Sequence, residues 1–231
     1  FYFDDALRVH YEGNFFGLLN PFGLLVGVVS LSMLVMQGAA FLQLKTVGVL
    51  RDRSRTALGI AALAFGVSFA AAGVWIALGI DGYVLASFAG TEGASNPIAK
   101  EVVRQSGAWF ANYQAAPVLW LVPILAFVGA FGAWWLAASR PGLGFISSSL
   151  AIACTILTAG IAMFPFMMPS SLNPSHSLTA WDATSSLLTL RWMFWMVILF
   201  LPLIILYTSW VFRVLRGPVT VEQVRDSHEL Y

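Results

Sequence analysis

The side chains that a redox metal would take as ligands are few in this 231-residue sequence. His10, His176 and His228 all fall in polar segments, and no two share a helical run at ligand spacing. A haem held by histidine of this chain is therefore not expected. Met163, Met167 and Met168 lie together just before a polar loop, and packing is the reading adopted, because methionine is a common gap-filler. Cys154 stands alone in a long apolar run, where a thiol closes no internal disulfide and serves as inert packing. No phosphate-binding loop, nucleophile elbow or HExxH motif occurs. No catalytic residue and no metal ligand is expected here. One polar and aromatic cluster remains, with His176, Trp181, Asp182, Thr184, Ser185, Ser186 and Arg191. Its plain reading is loop hydrogen bonds, with Asp182 capping a turn into the next helix or paired with Arg191. Its sharper reading rests on His176, Trp181, Asp182 and Arg191, as a surface for a quinone or lipid headgroup or for a partner subunit.

The elements that would carry these groups follow from composition. Hydrophobic residues make up 59% of the chain and charged residues 10%, whereas a soluble globular chain has roughly 45–50% and about 25%. Too few charges remain to cover a water-facing surface. A soluble domain, a disordered chain, a coiled coil, a collagen and a disulfide scaffold are excluded. With a net charge of +1 and no basic cluster beside an aromatic platform, so is a nucleic-acid binder.

The charges are segregated. Residues 19–44, 56–80, 116–139, 142–170 and 192–212 contain no Asp, Glu, Lys or Arg. Each run matches or exceeds the roughly 20 apolar residues that cross a bilayer core. Within lipid every backbone amide must be satisfied by the chain itself, which leaves helices or a closed barrel. The runs are continuous rather than alternating, so helices are expected. The fold class is all-α: a polytopic membrane helix bundle with five transmembrane helices.

Five crossings put the two ends on opposite sides. Eight basic residues (Lys45, Arg51, Arg53, Arg55, Arg140, Arg213, Arg216 and Arg225) fall in the first and third connections and the tail, against four (Arg8, Lys100, Arg104 and Arg191) in the other segments. The positive-inside rule then places the N-terminus outside and the C-terminus in the cytoplasm. The resulting division is an external segment 1–18, a bundle 19–216 with external loops 81–115 and 169–191, and a cytoplasmic tail 217–231. The first 18 residues carry Asp4, Asp5, Arg8 and Glu12 and do not read as a signal peptide. An external start without a signal is eased by an even number of upstream helices, so the sequence is expected to be the C-terminal part of a longer protein.

Local signals refine the spans. Asn20 and Pro21 make a cap and first position for the first helix. Gln37 is expected to hydrogen-bond between helices. Ala62, Gly66 and Ala70 form a smooth stripe on the second, suited to close helix packing. Trp75, Trp109, Trp120 and Trp181 suit an outer aromatic belt, and Trp134 and Trp135 an inner one. Residues 98–109 are expected to form a short amphipathic helix capped by Ser95 or Asn96. Pro123 is expected to kink the third span and Pro202 to break or bend the fifth.

Four stretches are long and unusual: GNFFGLLNPFG at 13–23, ASNPIAKEVVRQSGAW at 94–109, LTAGIAMFPFMMPSS at 157–171 and TAWDATSSLLTL at 179–190. In content and order they resemble subunit II of the bacterial cytochrome bd quinol oxidases, from the first residue to the tail. The resemblance implies a partner, subunit I, that carries the b-type and d-type haems, often with a small single-helix accessory subunit. It implies a complex that oxidises quinol, reduces dioxygen to water and generates a proton gradient, with a structural quinone in some members, and contacts with membrane lipids. A segment of a secondary transporter and a purely structural scaffold are the alternatives; no internal repeat or charged midplane residue favours the first.

Overall fold

The computed structural model describes residues 1–14, 16–88, 90, 96–215 and 217. Among these residues, five helices are long and apolar enough to cross a membrane. They comprise α1 (Pro21–Lys45), α2 (Val49–Gly79), a span at Pro117–Ala137, α5 (Pro141–Met163) and α6 (Leu187–Val214). The third span opens with a 3-10 turn, Pro117–Trp120, and continues as α4 (Leu121–Ala137); a short helix, α3 (Ala111–Ala115), precedes it. Three two-stranded antiparallel sheets complete the fold: β1 (Tyr2–Phe3) with β2 (Val9–His10), β3 (Gly82–Phe88) with β4 (Lys100–Gln105), and β5 (Phe166–Met168) with β6 (Leu178–Thr179).

The helix starts follow local chemistry. Asn20 Oδ1 accepts the Gly23 amide at 2.7 Å, and Pro21 occupies the first helical position of α1. Ser186, not Asp182, caps α6, its Oγ accepting the Thr189 amide at 3.4 Å. Pro123 falls in the first turn of α4, where a missing amide hydrogen removes no helical bond, so it is not an interior kink. Helix α6 runs unbroken through Pro202. Helix α2 begins at Val49, ahead of its apolar run, so Arg51, Asp52, Arg53 and Arg55 are helical rather than in a loop.

α1 and α2 form one antiparallel hairpin and α4 and α5 another; α1 packs against α5 and α2 against α4. The resulting four-helix core is built on small residues. Ala126, Ala130, Ala133 and Ala137 of α4 are almost fully buried against Ala151 and Cys154 of α5, and Met36, Leu58 and Phe65 fill the centre from α1 and α2. Apolar burial does not drive association between helices in lipid, so close backbone approach matters more. At Gly129 and Gly144 an added Cβ would come within 2.9 Å of the facing backbone of α5 and α4 respectively. Gln37 Nε2 donates to Ser149 Oγ at 2.9 Å while Ser148 donates to Gln37 Oε1, as expected of an interhelical tie. Gln43 does the same between α1 and α2, donating to Ser54 Oγ at 2.7 Å.

The Ala62, Gly66 and Ala70 stripe is not the seam of this bundle. Leu58, Ala61, Phe65, Ser68 and Ala72 carry the buried face of α2. Ala62 lies at the edge of the core, an added Cβ on Gly66 would meet nothing within 4 Å, and Ala70 is exposed. No residue of α6 is buried.

Candidate functional site

The N-terminal segment, the connection from α2 to the third span and the connection from α5 to α6 gather into one polar cap at one end of the bundle. Ser170 donates to the Phe1 carbonyl, and the Tyr83 hydroxyl donates to the Ser170 carbonyl at 3.2 Å. The Val102 amide donates to Ser175 Oγ at 3.2 Å, and Arg104 donates to the Ser171 carbonyl.

The expected helix over 98–109 is instead mostly strand and turn. β3 and β4 pair from Gly82 with Gln105 to Phe88 with Lys100. Inward residues alternate in β4: Lys100 and Val102 are buried while Glu101 and Val103 are exposed. That is the period of a strand, and the β-branched valines favour it. Asn96 Oδ1 accepts the Ile98 amide at 3.1 Å, in a turn; Ser95 lies outside the described residues.

Lys100 points inward because Asp182 is there. Lys100 Nζ lies 2.6 Å from Asp182 Oδ2, with side-chain exposures of 0% and 3%. Asp182 Oδ1 accepts the Thr179 amide at 2.9 Å, and Lys100 also donates to the Pro97 carbonyl. The expected pairing of Asp182 with Arg191 is thus replaced by a buried pair with a residue of a different connection. A lysine at a strand position was the signal, legible only once the strand itself was.

The structure divides the four-residue cluster. His176 Nδ1 accepts the Phe3 amide at 2.9 Å, which ties the N-terminal strand to the last connection. Burial first, and the Lys100 ammonium second, hold the imidazole below its ordinary pKa and so neutral. Trp181 is exposed, its ring edge-on to Phe164 at 5.7 Å. Arg191 is exposed on α6. Sequence reasoning missed Asp4, whose carboxylate accepts the Ala6 and Arg8 amides at 3.0 and 2.8 Å and pairs with the Arg8 side chain and His10. The Arg8 amide, followed by His10, holds the Asp4 carboxyl down at about 2.

These donors do not suit an axial haem ligand. His176 spends a ring nitrogen on backbone in the cap, and His10 sits against Asp4. Cys154 and Met36 are enclosed among the helices of the bundle. Among the described residues, no group of three His, Cys, Asp or Glu is arranged to hold a metal. His228 lies outside those residues, as does the tail beyond Gly217.

Comparison with known proteins gives these features a context. The chain is 51% identical over 230 residues to cytochrome bd-I ubiquinol oxidase subunit 2 of Escherichia coli K12, covering 99% of this chain and 61% of that protein. It is 44% identical over 233 residues to the probable cytochrome oxidase subunit 2 of Haemophilus influenzae, covering 100% of this chain and 61% of the relative. The chain thus spans about three fifths of the length of these curated relatives. With its five apolar helices it is a multi-pass protein of a bacterial inner membrane. The family model for cytochrome bd terminal oxidase subunit II matches residues 2–215, from the first strand of the cap to the end of α6, and the chain belongs to that family.

Proposed function

We propose that this chain works as a haem-free membrane subunit of a bd-type quinol:O2 oxidoreductase. Subunit I carries haem b and haem d, oxidises quinol and reduces O2 to water, and the complex generates a proton gradient. This chain supports that haem-bearing partner from one side. The family match over residues 2–215 carries the reading. The donor chemistry agrees, because the histidines of the cap are engaged with backbone and carboxylate rather than turned into a span. Helix α6, none of whose residues is buried, adds a surface for a neighbouring subunit, an accessory single helix or lipid. Membership of this family leaves the transporter reading without support.

In the outer cluster, Trp181 and Arg191 are the exposed groups that reach a quinone or lipid headgroup or a partner surface, while His176 and Asp182 hold the cap behind them. The Ala62, Gly66 and Ala70 stripe serves packing against a neighbour outside this bundle. Deleting the chain tests the reading. Loss of the haem d absorption band from the purified partner is expected. A fully haem-loaded, active subunit I without this chain overturns an assembly role.

A further inference from the structure

At the end of the bundle opposite the cap, a cleft of about 330 Å³ opens between Arg55 of α2, Trp134 and Trp135 of α4, and Ser139 of the turn into α5. We propose that this cleft binds the phosphate of an anionic phospholipid headgroup. The inference is independent of the oxidase reading.

The lining residues carry hydrogen-bond donors, the Arg55 guanidinium, the Ser139 hydroxyl and the indoles of Trp134 and Trp135. A guanidinium fork matches phosphate oxygens in shape and charge. Among the described residues, Arg55 has no ion-pair partner. The surroundings reinforce the sign. Lys45, Arg51, Arg53 and Arg140 stand on the helix ends and turns around the cleft, with Asp52 the one acid there among the described residues. The volume falls at the lower edge of ordinary ligand pockets, about 300–1,000 Å³, and suits a headgroup rather than a whole lipid.

The ring geometry favours a lipid over a free anion. Phe131 lies one turn further into the span, stacked on Trp135 at 5.9 Å and edge-on to Trp134 at 5.9 Å. All three rings are exposed. Donors at the rim with an aromatic ladder below fit an amphipathic ligand whose acyl chain runs along α4. Gly59, one turn along α2 from Arg55, lets the Trp134 indole lie close on that helix: an added Cβ would come 2.8 Å from Trp134 Nε1.

The test is native mass spectrometry of the full chain, purified with the partners it assembles with, after exchange into phosphatidylglycerol or phosphatidylcholine. Removing one arginine charge at an anionic surface is expected to lower phosphatidylglycerol retention about fivefold in Arg55→Gln. Trp134→Phe is expected to lower it as well, and Arg213→Gln, at the same end outside the cleft, to leave it unchanged. The unsubstituted protein supplies a second reading, preference for phosphatidylglycerol over phosphatidylcholine. Equal retention of the two lipids overturns the proposal. So does retention in Arg55→Gln equal to that of the unsubstituted protein, or an equal loss in Arg213→Gln. Displacement of the lipid by inorganic phosphate assigns the cleft to a free anion and overturns the lipid assignment.

Discussion

Lys100 and Asp182 bring two formal charges out of water to join the central and last connections of the cap. Such a pair gains little over a well-packed apolar replacement, yet breaking one side strands the other charge. Lys100→Met and Asp182→Asn are each expected to destabilise the cap by about 3–5 kcal/mol, and the double variant carrying both, in which the asparagine side chain keeps an acceptor for the Thr179 amide, to recover much of the loss. Thermal unfolding in detergent and protease resistance of residues 81–115 check this; additive single losses in the double variant contradict it. His176 gives the cap a pH dependence. Its folded pKa lies below the ordinary 6.5, so the unfolded chain binds the proton more readily. Stability is therefore full above about pH 6.5 and falls as the pH drops toward the folded value. A protonated Nδ1 no longer accepts the Phe3 amide, so the protection of that amide against hydrogen exchange, corrected for the slower intrinsic exchange at lower pH, is expected to fall between pH 7 and pH 5. In His176→Asn, whose amide oxygen accepts without titrating, that loss of protection disappears. Its persistence assigns the dependence to another group.

At the scale of elements, close approach of backbones in the α4–α5 hairpin is the most exacting feature. Gly144→Ala places a Cβ 2.9 Å from the backbone of Ala137, whereas Gly160→Ala, on the same helix, meets nothing within 4 Å. Overpacking of the first kind costs about 1–3 kcal/mol, and the second is expected to be neutral or mildly stabilising. Melting temperatures of the two variants in one detergent decide it, and equal shifts contradict the close-packed seam. The helices were legible from sequence because lipid forces long uncharged runs into helix. The caps at Asn20 and the tie at Gln37 were legible because each rests on local chemistry. The seam was not. Small residues at four-residue spacing occur on both α2 and α4, and only the packed arrangement shows that Ala126, Ala130 and Ala133 face the interior while Gly66 does not. The β3–β4 hairpin escaped because six residues of Lys100–Gln105 suit a short helix as well as a strand until their partner at Gly82–Phe88 is known. For the candidate site, the sequence grouped His176, Trp181 and Asp182 because they are close along the chain; the partners of the two held in the cap, Phe3 for His176 and Lys100 for Asp182, come from distant connections and were not legible.

On the scale of the whole molecule, the bundle has two chemically different ends. One is a hydrogen-bonded cap of three connections, and the other a rim of arginine, lysine and tryptophan. Alternating crossings place the N-terminal segment and the connections at 81–115 and 169–191 together, and the structure joins all three by direct contacts. The positive-inside rule assigns the rim to the cytoplasm. Cysteine labelling of the assembled protein tests this, because Cys154 is only 5% exposed and contributes little background. Asp5→Cys lies in the cap segment and Val47→Cys in the three-residue turn between α1 and α2, both at exposed positions. A membrane-impermeant maleimide added to spheroplasts is expected to label Asp5→Cys and spare Val47→Cys, and inverted membrane vesicles to show the reverse. The opposite pattern places the arginine rim outside. It also moves the headgroup cleft at Arg55 to the outer leaflet, so the sidedness of the chain sets which leaflet supplies the lipid.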